Sequence, residues 1–354
     1  MRLRTSNNEL RSAEVVVDGQ LRLTPGTPPG PGAGYRIEPV PGGWEITGPD
    51  GARLLAAGGP GLVPDPPAGT RAYDAALLDL LHTPAQLGAL RRRRLLPGPG
   101  RTEPGSAGPG RAGAFRAAAL YADHRISSPA ELARRCGFWQ ALSPADGDVL
   151  TVPAAAELPR GEPAPDWPHR TLVLGGVRSG KSREAELRLA AEPRVTYLAA
   201  GPYPDSARSG GTGPGEHDTE WAQRVAAHRA ARPRWWPTIE STDVAGALRR
   251  LRGAVLVDGI GTWLAAAMTE AGAWEAGHQA ALAALAARVD DLVAAWRQTG
   301  ARVVAVSDQV GSGIVPATPA GRAFRDQLGW LNQRLAAESE ETVLIAAGRV
   351  LSTH

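Results

Sequence analysis

Three stretches carry residues whose types and spacing could do chemistry. The first is GGVRSGKS, residues 175 to 182, which fits the pattern G-x-x-x-x-G-K-[ST]. Gly175, Gly176 and Gly180, with Val177, Arg178 and Ser179 between them, let backbone N–H groups turn inward around phosphate oxygens. The helix expected to follow adds its positive end. Lys181 is the lone lysine among the 39 basic residues of the chain. A forked guanidinium suits bidentate pairing at open surfaces, whereas a compact ammonium fits inside a phosphate-wrapping loop, which explains why arginine does not stand here too. Ser182 is then placed to hold Mg²⁺.

The second stretch, AVLVDGIGTW, is an apolar strand ending in Asp258. That arrangement brings a carboxylate to the Mg²⁺ or its water shell; the bland alternative is a strand-terminal Asp capping the next turn. The third is RVAAHRAARPRWWPTIE. His228 lies at helical spacing from Trp221 and Val225, as a satisfied histidine on a core-facing stripe would. Arg229, Arg232 and Arg234 crowd the same stretch, and a neutral imidazole among arginines could attack phosphorus. The residues alone leave both readings of His228 open.

The elements that must position these groups follow from the pattern after residue 169. Short apolar runs (TLVLGG, VTYLAAG, AVLVDGI, RVVAVSDQV, TVLIAAG) alternate with helix-like segments, one of them a long alanine-rich region. Such runs are what strands of a buried, largely parallel sheet look like, so an α/β domain with flanking helices is expected, with ligands at the carboxyl ends of its strands. Before it, PAAAELPRGEPAPDWPH reads as a polar, proline-punctuated linker. The expected division is residues 1–152, a smaller β-rich α+β domain; 153–169, linker; and 170–354, the P-loop domain. Residues 24–34 and 96–113 hold too much Pro and Gly for helix or central strand.

Composition narrows the classes further. The chain has 354 residues, 43% hydrophobic and 21% charged, an ordinary globular balance. Its formal charge is only +3, because 36 acidic residues offset the arginines, so no nucleic-acid partner is implied. The run Arg91 to Arg94 reads as a solvated helix face. Cys136 is alone, which excludes a disulfide framework and fits a reducing compartment. No apolar run is long enough for a membrane span and the N-terminus lacks an apolar leader core, so a cytoplasmic protein is expected.

In order and spacing, GGVRSGKS, RVAAHRAARPRWWPTIE, VLVDGIGTWL, VSDQVGSGIVP and FRDQLGWLNQRLAAESEETVLIAAG resemble the bifunctional adenosylcobinamide kinase/adenosylcobinamide-phosphate guanylyltransferases of cobalamin synthesis, over about residues 170 to 350. The resemblance implies a P-loop enzyme that phosphorylates adenosylcobinamide with a nucleoside triphosphate, ATP or GTP. It then implies transfer of GMP from GTP onto that phosphate through a GMP–histidine adduct. The matching nucleophile is His228. Nucleotide contacts carry over onto Gly175 to Ser182, Ala200 and Gly201, Arg229, Ala230, Ala231 and Arg232, Glu240 and Asp258. The resemblance also implies a homo-oligomer. One departure stands out: where the family commonly reads Asn-Glu before Val-Gly-x-Gly-Ile-Val-Pro, this chain has Asp308 and Gln309. That departure and the appended first domain motivate one alternative, a nucleotide-binding regulator; a second, a kinase that has lost guanylyl transfer, follows from the P-loop and His228 serving different steps.

Residues 1–152 carry no signal of comparable strength. VVVDGQLRLTPG, WEITGPDGARLL and DGDVLTVPA read as strands and hairpins, with Asp50-Gly51 a turn signal. The order of VVVDGQLRLTPG, WEITGPDGARLL and LYADHRISSPAELARRCGFW resembles a metallo-β-lactamase-like domain, without its His-x-His-x-Asp-His cluster. His82, Asp123 and His124 do not make a metal site by number or spacing, and a degenerate domain is expected.

Overall fold

A computed structural model of the protein describes residues 2–6, 14–18, 21–23, 29–30, 34–57, 71–96, 112–114, 117–119, 128–144, 148–152, 168–201, 234–274 and 279–353. The chain divides into two compact units, Met1–Trp167 with Ala190–Pro193, and Pro168–Leu189 with Arg194–His354. Of the linker expected at 153–169, residues 153–167 lie outside the described residues.

The first unit contains β1 (Arg2–Ser6), β2 (Glu14–Val17), β3 (Leu21–Leu23), β4 (Arg36–Val40), β5 (Gly43–Thr47), β6 (Arg53–Ala57), β7 (Ala75–Leu78), α1 (Ala85–Arg92), β8 (Ala112–Ala114), β9 (Ala117–Ala119), α2 (Pro129–Phe138) and β10 (Val149–Thr151). They form two five-stranded sheets, ordered β3-β2-β1-β10-β8 and β4-β5-β6-β7-β9. One apolar core joins side chains of both, among them Val15, Val17, Leu21 and Leu150 from the first and Ile46, Leu54 and Leu77 from the second. The expected Asp50-Gly51 turn closes the β5–β6 hairpin, with Gly51 at φ 76° and its N–H on the Gly48 carbonyl. Cys136 is buried, and burial pushes its thiol up to about 12, as a small core residue rather than a reactive one requires. The arginine run is only half solvated: Arg92 and Arg94 are exposed, but Arg91 turns in to donate to the Trp139 carbonyl at 2.8 Å. The solvated-face reading is corrected accordingly. The α1 helix ends at Arg92, and Arg94 takes φ 58°, so the run does not stay on one helical face.

The second unit is built from β11 (Arg170–Gly175), α3 (Lys181–Leu189), β12 (Val195–Ala199), β13 (Thr238–Glu240), α4 (Val244–Arg250), β14 (Ala254–Asp258), α5 (Ile260–Ala271), α6 (Gln279–Gln298), β15 (Arg302–Asp308), α7 (Pro319–Ala337), β16 (Glu341–Ala346) and β17 (Arg349–Thr353). Its seven-stranded sheet has the order β13-β12-β14-β15-β11-β16-β17 and is parallel except for the last pair. The strands read as continuous apolar runs because both faces are covered. Leu172, Val255, Val257, Val303 and Ala305 face one core, shared with α4 to α7. Val173, Leu256, Val304, Val306 and Val343 alternate with them toward a second core that includes Ala185 and Leu189 of α3.

Helix boundaries follow the capping residues. Thr318 accepts from the Gly321 N–H at 3.1 Å with Pro319 next to it, and Asp243 accepts from the Gly246 N–H at 2.8 Å. The alanine-rich region is two helices rather than one long segment, since Gly272 at φ 69° ends α5 in the left-handed conformation. Arg188 anchors α3 to the sheet. It is 3% exposed and pairs with Glu184 at 3.0 Å and with Glu341 of β16. Removing one member of such a buried network typically costs about 3–5 kcal/mol, because a charge is left unpaired.

A candidate nucleotide site at the strand ends

Parallel register brings the chemically marked residues to one edge of the sheet. Gly175 at the end of β11 pairs with Asp308 at the end of β15. Asp258 at the end of β14 pairs with Ala199 of β12, which in turn pairs with Glu240 of β13. Ala200 and Gly201 follow β12 directly, and the Ala200 N–H donates to the Asp258 carbonyl at 2.8 Å.

The loop 176–180 is shaped by its glycines and by a neighbouring turn. A Cβ on Gly175 would lie 2.3 Å from Ser179 Oγ, so no other residue fits without moving the loop. Gly180 has φ 96°, and Arg178 takes φ 57° without being glycine, a strained backbone of the kind found at ligand-binding turns. The β16–β17 turn braces the loop from the side: the Gly348 N–H donates to the Ser179 carbonyl at 2.8 Å. Ser179 Oγ is buried with no hydrogen-bond partner among the described residues. A phosphate oxygen in the loop would be a fitting acceptor for it. Lys181 opens α3 and donates from Nζ to the Gly176 carbonyl at 3.2 Å, while Ser182 follows it in the first turn.

The carboxylates divide the strand ends between them. Asp308 Oδ1 lies 2.8 Å from Lys181 Nζ. Asp258, one strand further from the P-loop, accepts instead from the buried Tyr197 hydroxyl. Gln309, where the family resemblance leads one to expect a carboxylate, turns its amide to Ser312 Oγ at 3.4 Å. Sequence reasoning gave Asp308 no site role; its signal was its place at the end of the strand beside the P-loop strand.

Among the described residues no three His, Cys, Asp or Glu side chains are gathered as a metal cluster. The donor set present, a serine hydroxyl next to Lys181 and strand-end carboxylates, is hard oxygen of the kind that holds a divalent cation jointly with nucleotide phosphates. His228, Arg229, Ala230, Ala231 and Arg232 lie outside the described residues, as do Trp221, Val225, His217, Asp123 and His124. A separate crevice of about 310 Å³, lined by Thr242, Asp243, Trp263, Arg288 and Asp291 among others, contains no P-loop residue. Its charged walls are already paired, Arg288 with Glu270 and Asp291 with Arg249.

Residues 171–353 match the family model described as cobinamide kinase / cobinamide phosphate guanyltransferase. The chain belongs to that family. It is 33% identical over 187 residues to the bifunctional adenosylcobalamin biosynthesis protein CobU of Escherichia coli (strain K12), covering 50% of this chain and 95% of the relative. Identity to the protein of the same name from Salmonella typhimurium is 35% over 186 residues, with the same two coverages. For the bifunctional adenosylcobalamin biosynthesis protein CobP of Pseudomonas aeruginosa it is 33% over 187 residues, 51% of this chain and 94% of that one. The cobinamide kinase / guanyltransferase region therefore coincides with the second unit, and its P-loop, Asp258 and Asp308 all fall within it. No helix among the described residues is long and apolar enough to cross a membrane.

Proposed function

We propose that the second unit carries out both family reactions at the strand-end site: phosphorylation of the aminopropanol hydroxyl of adenosylcobinamide, then transfer of GMP from GTP onto the new phosphate. The observation that carries this reading is the family match over residues 171–353, which spans the P-loop, the stretch with His228 and the strand-end carboxylates. Gly175, Gly176, Val177, Arg178, Ser179 and Gly180 wrap the phosphates with backbone N–H groups, and Lys181 meets the outer ones. Ser182 and Asp258 would hold Mg²⁺, which would supply charge neutralisation on the phosphates. Phosphoryl transfer then needs little beyond alignment: the acceptor hydroxyl oxygen attacks the γ-phosphorus and gives up its proton to solvent, the bond from the γ-phosphorus to the β–γ bridging oxygen breaks, and the nucleoside diphosphate leaves.

Guanylyl transfer asks for a nucleophile. His228 attacks the α-phosphorus of GTP and expels pyrophosphate, and the phosphate of the corrinoid then attacks the adduct and frees the imidazole, so one hard displacement becomes two easier ones. Arg229 and Arg232 neutralise the phosphates during both steps, with the backbone of Ala230 and Ala231 between them. Ala200, Gly201 and Glu240, gathered at the neighbouring strand ends, contact the nucleotide. The enzyme acts in the cytoplasm as a homo-oligomer. Residues 1–152 form a degenerate metallo-β-lactamase-like unit, a reading supported by the two sheets that share one apolar core.

The test is labelling of the protein by GTP carrying its radiolabel on the α-phosphate. The wild-type adduct should be labile in acid and stable in base, as a phosphoramidate is, and His228→Ala should abolish it. Persistent labelling of the variant would overturn the assignment and turn attention to His217.

A further inference from the structure

We propose that Asp308 is a built-in surrogate for a nucleotide phosphate: before nucleotide binds its carboxylate holds the Lys181 ammonium, incoming triphosphate displaces it, and the residue at position 308 thereby sets nucleotide affinity. This rests on the reading of residues 175–182 as the phosphate cradle.

The geometry behind it is specific. Asp308 is the last residue of β15 and faces Gly175 across the parallel ladder, so its backbone position is fixed by the same sheet that fixes the loop. Its carbonyl accepts from Asn332 Nδ2 at 3.0 Å, and the buried Asn332 accepts in turn from Ser307 Oγ at 2.6 Å. One carboxylate oxygen lies 2.8 Å from Lys181 Nζ. The other points to the first turn of α5, so close that a Cβ on Gly261 would come within 3.0 Å of it. The carboxylate is thus seated against a helix start and a lysine, two features that favour an anion.

A phosphate delivered by the loop needs the same ammonium. Two anions on one cation repel each other, so the carboxylate must yield as the outer phosphates arrive. It can do so cheaply, since the Asp308 side chain is 41% exposed and has water to turn into, whereas that of Lys181 is 15% exposed and stays in the loop. An ion pair with one partner this exposed is modest, which sets the size of the effect: removing the competing charge should tighten triphosphate binding roughly two- to fivefold.

The experiment measures GTP and GMP binding by calorimetry in the presence of Mg²⁺ for the full-length protein, Asp308→Asn and Asp308→Glu. Asp308→Asn should bind GTP roughly two- to fivefold more tightly and GMP unchanged, since Lys181 reaches the outer phosphates that GMP lacks. Asp308→Glu, which keeps the charge, should stay near the wild type. A gain of affinity confined to the triphosphate is something a loosened fold would not produce. Should Asp308→Asn fail to fold, Asp308→Ser removes the same charge and must give the same gain. Unchanged or weaker GTP binding in the uncharged variants, or equal tightening of GMP, would overturn the proposal. Absence of GTP binding by the wild type would instead sink the phosphate-cradle reading on which it rests.

Discussion

In the second unit five neighbouring parallel strands, β13, β12, β14, β15 and β11, end side by side, and Glu240, Ala199, Asp258, Asp308 and Gly175 emerge along that one edge. The first unit mixes antiparallel and parallel pairing: β3-β2-β1-β10 and β4-β5-β6 are antiparallel, so their successive strand ends face opposite ways, and only β6-β7-β9 and the β10–β8 pair run parallel. Among its described residues the histidine–carboxylate contact is local: His82, in the turn after β7, has its imidazole Nδ1 against the carboxylate of Asp79 three residues earlier. The difference teaches that register, more than composition, gathers a site. Both units hold carboxylates and both hold histidines; the parallel strands β13, β12, β14, β15 and β11 bring their carboxyl ends to one edge of the sheet, which an antiparallel meander cannot do.

The largest effect that would sharpen this contrast is expected at Lys181. Lys181→Arg should lower phosphorylation of adenosylcobinamide roughly a hundredfold or more, because a planar guanidinium cannot occupy the loop without disturbing its N–H groups. Folding should survive, as judged by an unchanged thermal midpoint. Near-normal turnover in this variant would break the comparison at its strongest point, since arginine serves at every other basic position of the chain.

The smallest effect is expected from removing the first unit. A shortened protein beginning near Asp166 should fold and retain both activities, and the full-length protein should carry no stoichiometric zinc or iron, measured by elemental analysis. Insolubility of the shortened chain would give residues 1–152 a structural role. About one transition-metal ion per chain would refute the degenerate reading, with His82, Asp123 and His124 the first ligands to replace.

Much of the second unit was legible because its signals are backbone rules written in residue type. Apolar runs bounded by glycine gave the strands, and the glycine-lysine pattern gave the loop. Asp258 was visible as the polar end of an apolar run, but its hydrogen bond with Tyr197 was not, since only the pairing of β12 with β14 sets the two residues diagonally across neighbouring strands. Strand β17 escaped for a local reason. Its hairpin turn is Ala347-Gly348, with both residues at positive φ (48° and 74°), and alanine does not announce a left-handed position as asparagine would. The split of the alanine-rich region at Gly272 was missed because one glycine within a helical pattern is often tolerated. Asp308 drew notice only as a departure from a family pattern, whereas its meaning comes from the lysine on the adjacent loop.

The central claim is that this strand-end site makes both products, and mass analysis of the corrinoid tests it most directly. Incubation of the protein with adenosylcobinamide, Mg²⁺ and GTP should convert the corrinoid first to its phosphate and then to the GDP derivative, with both masses seen in one time course. A corrinoid that stays unmodified while GTP is bound would contradict the account and leave a nucleotide-binding regulator. Arrest at the phosphate would leave a kinase that has lost guanylyl transfer.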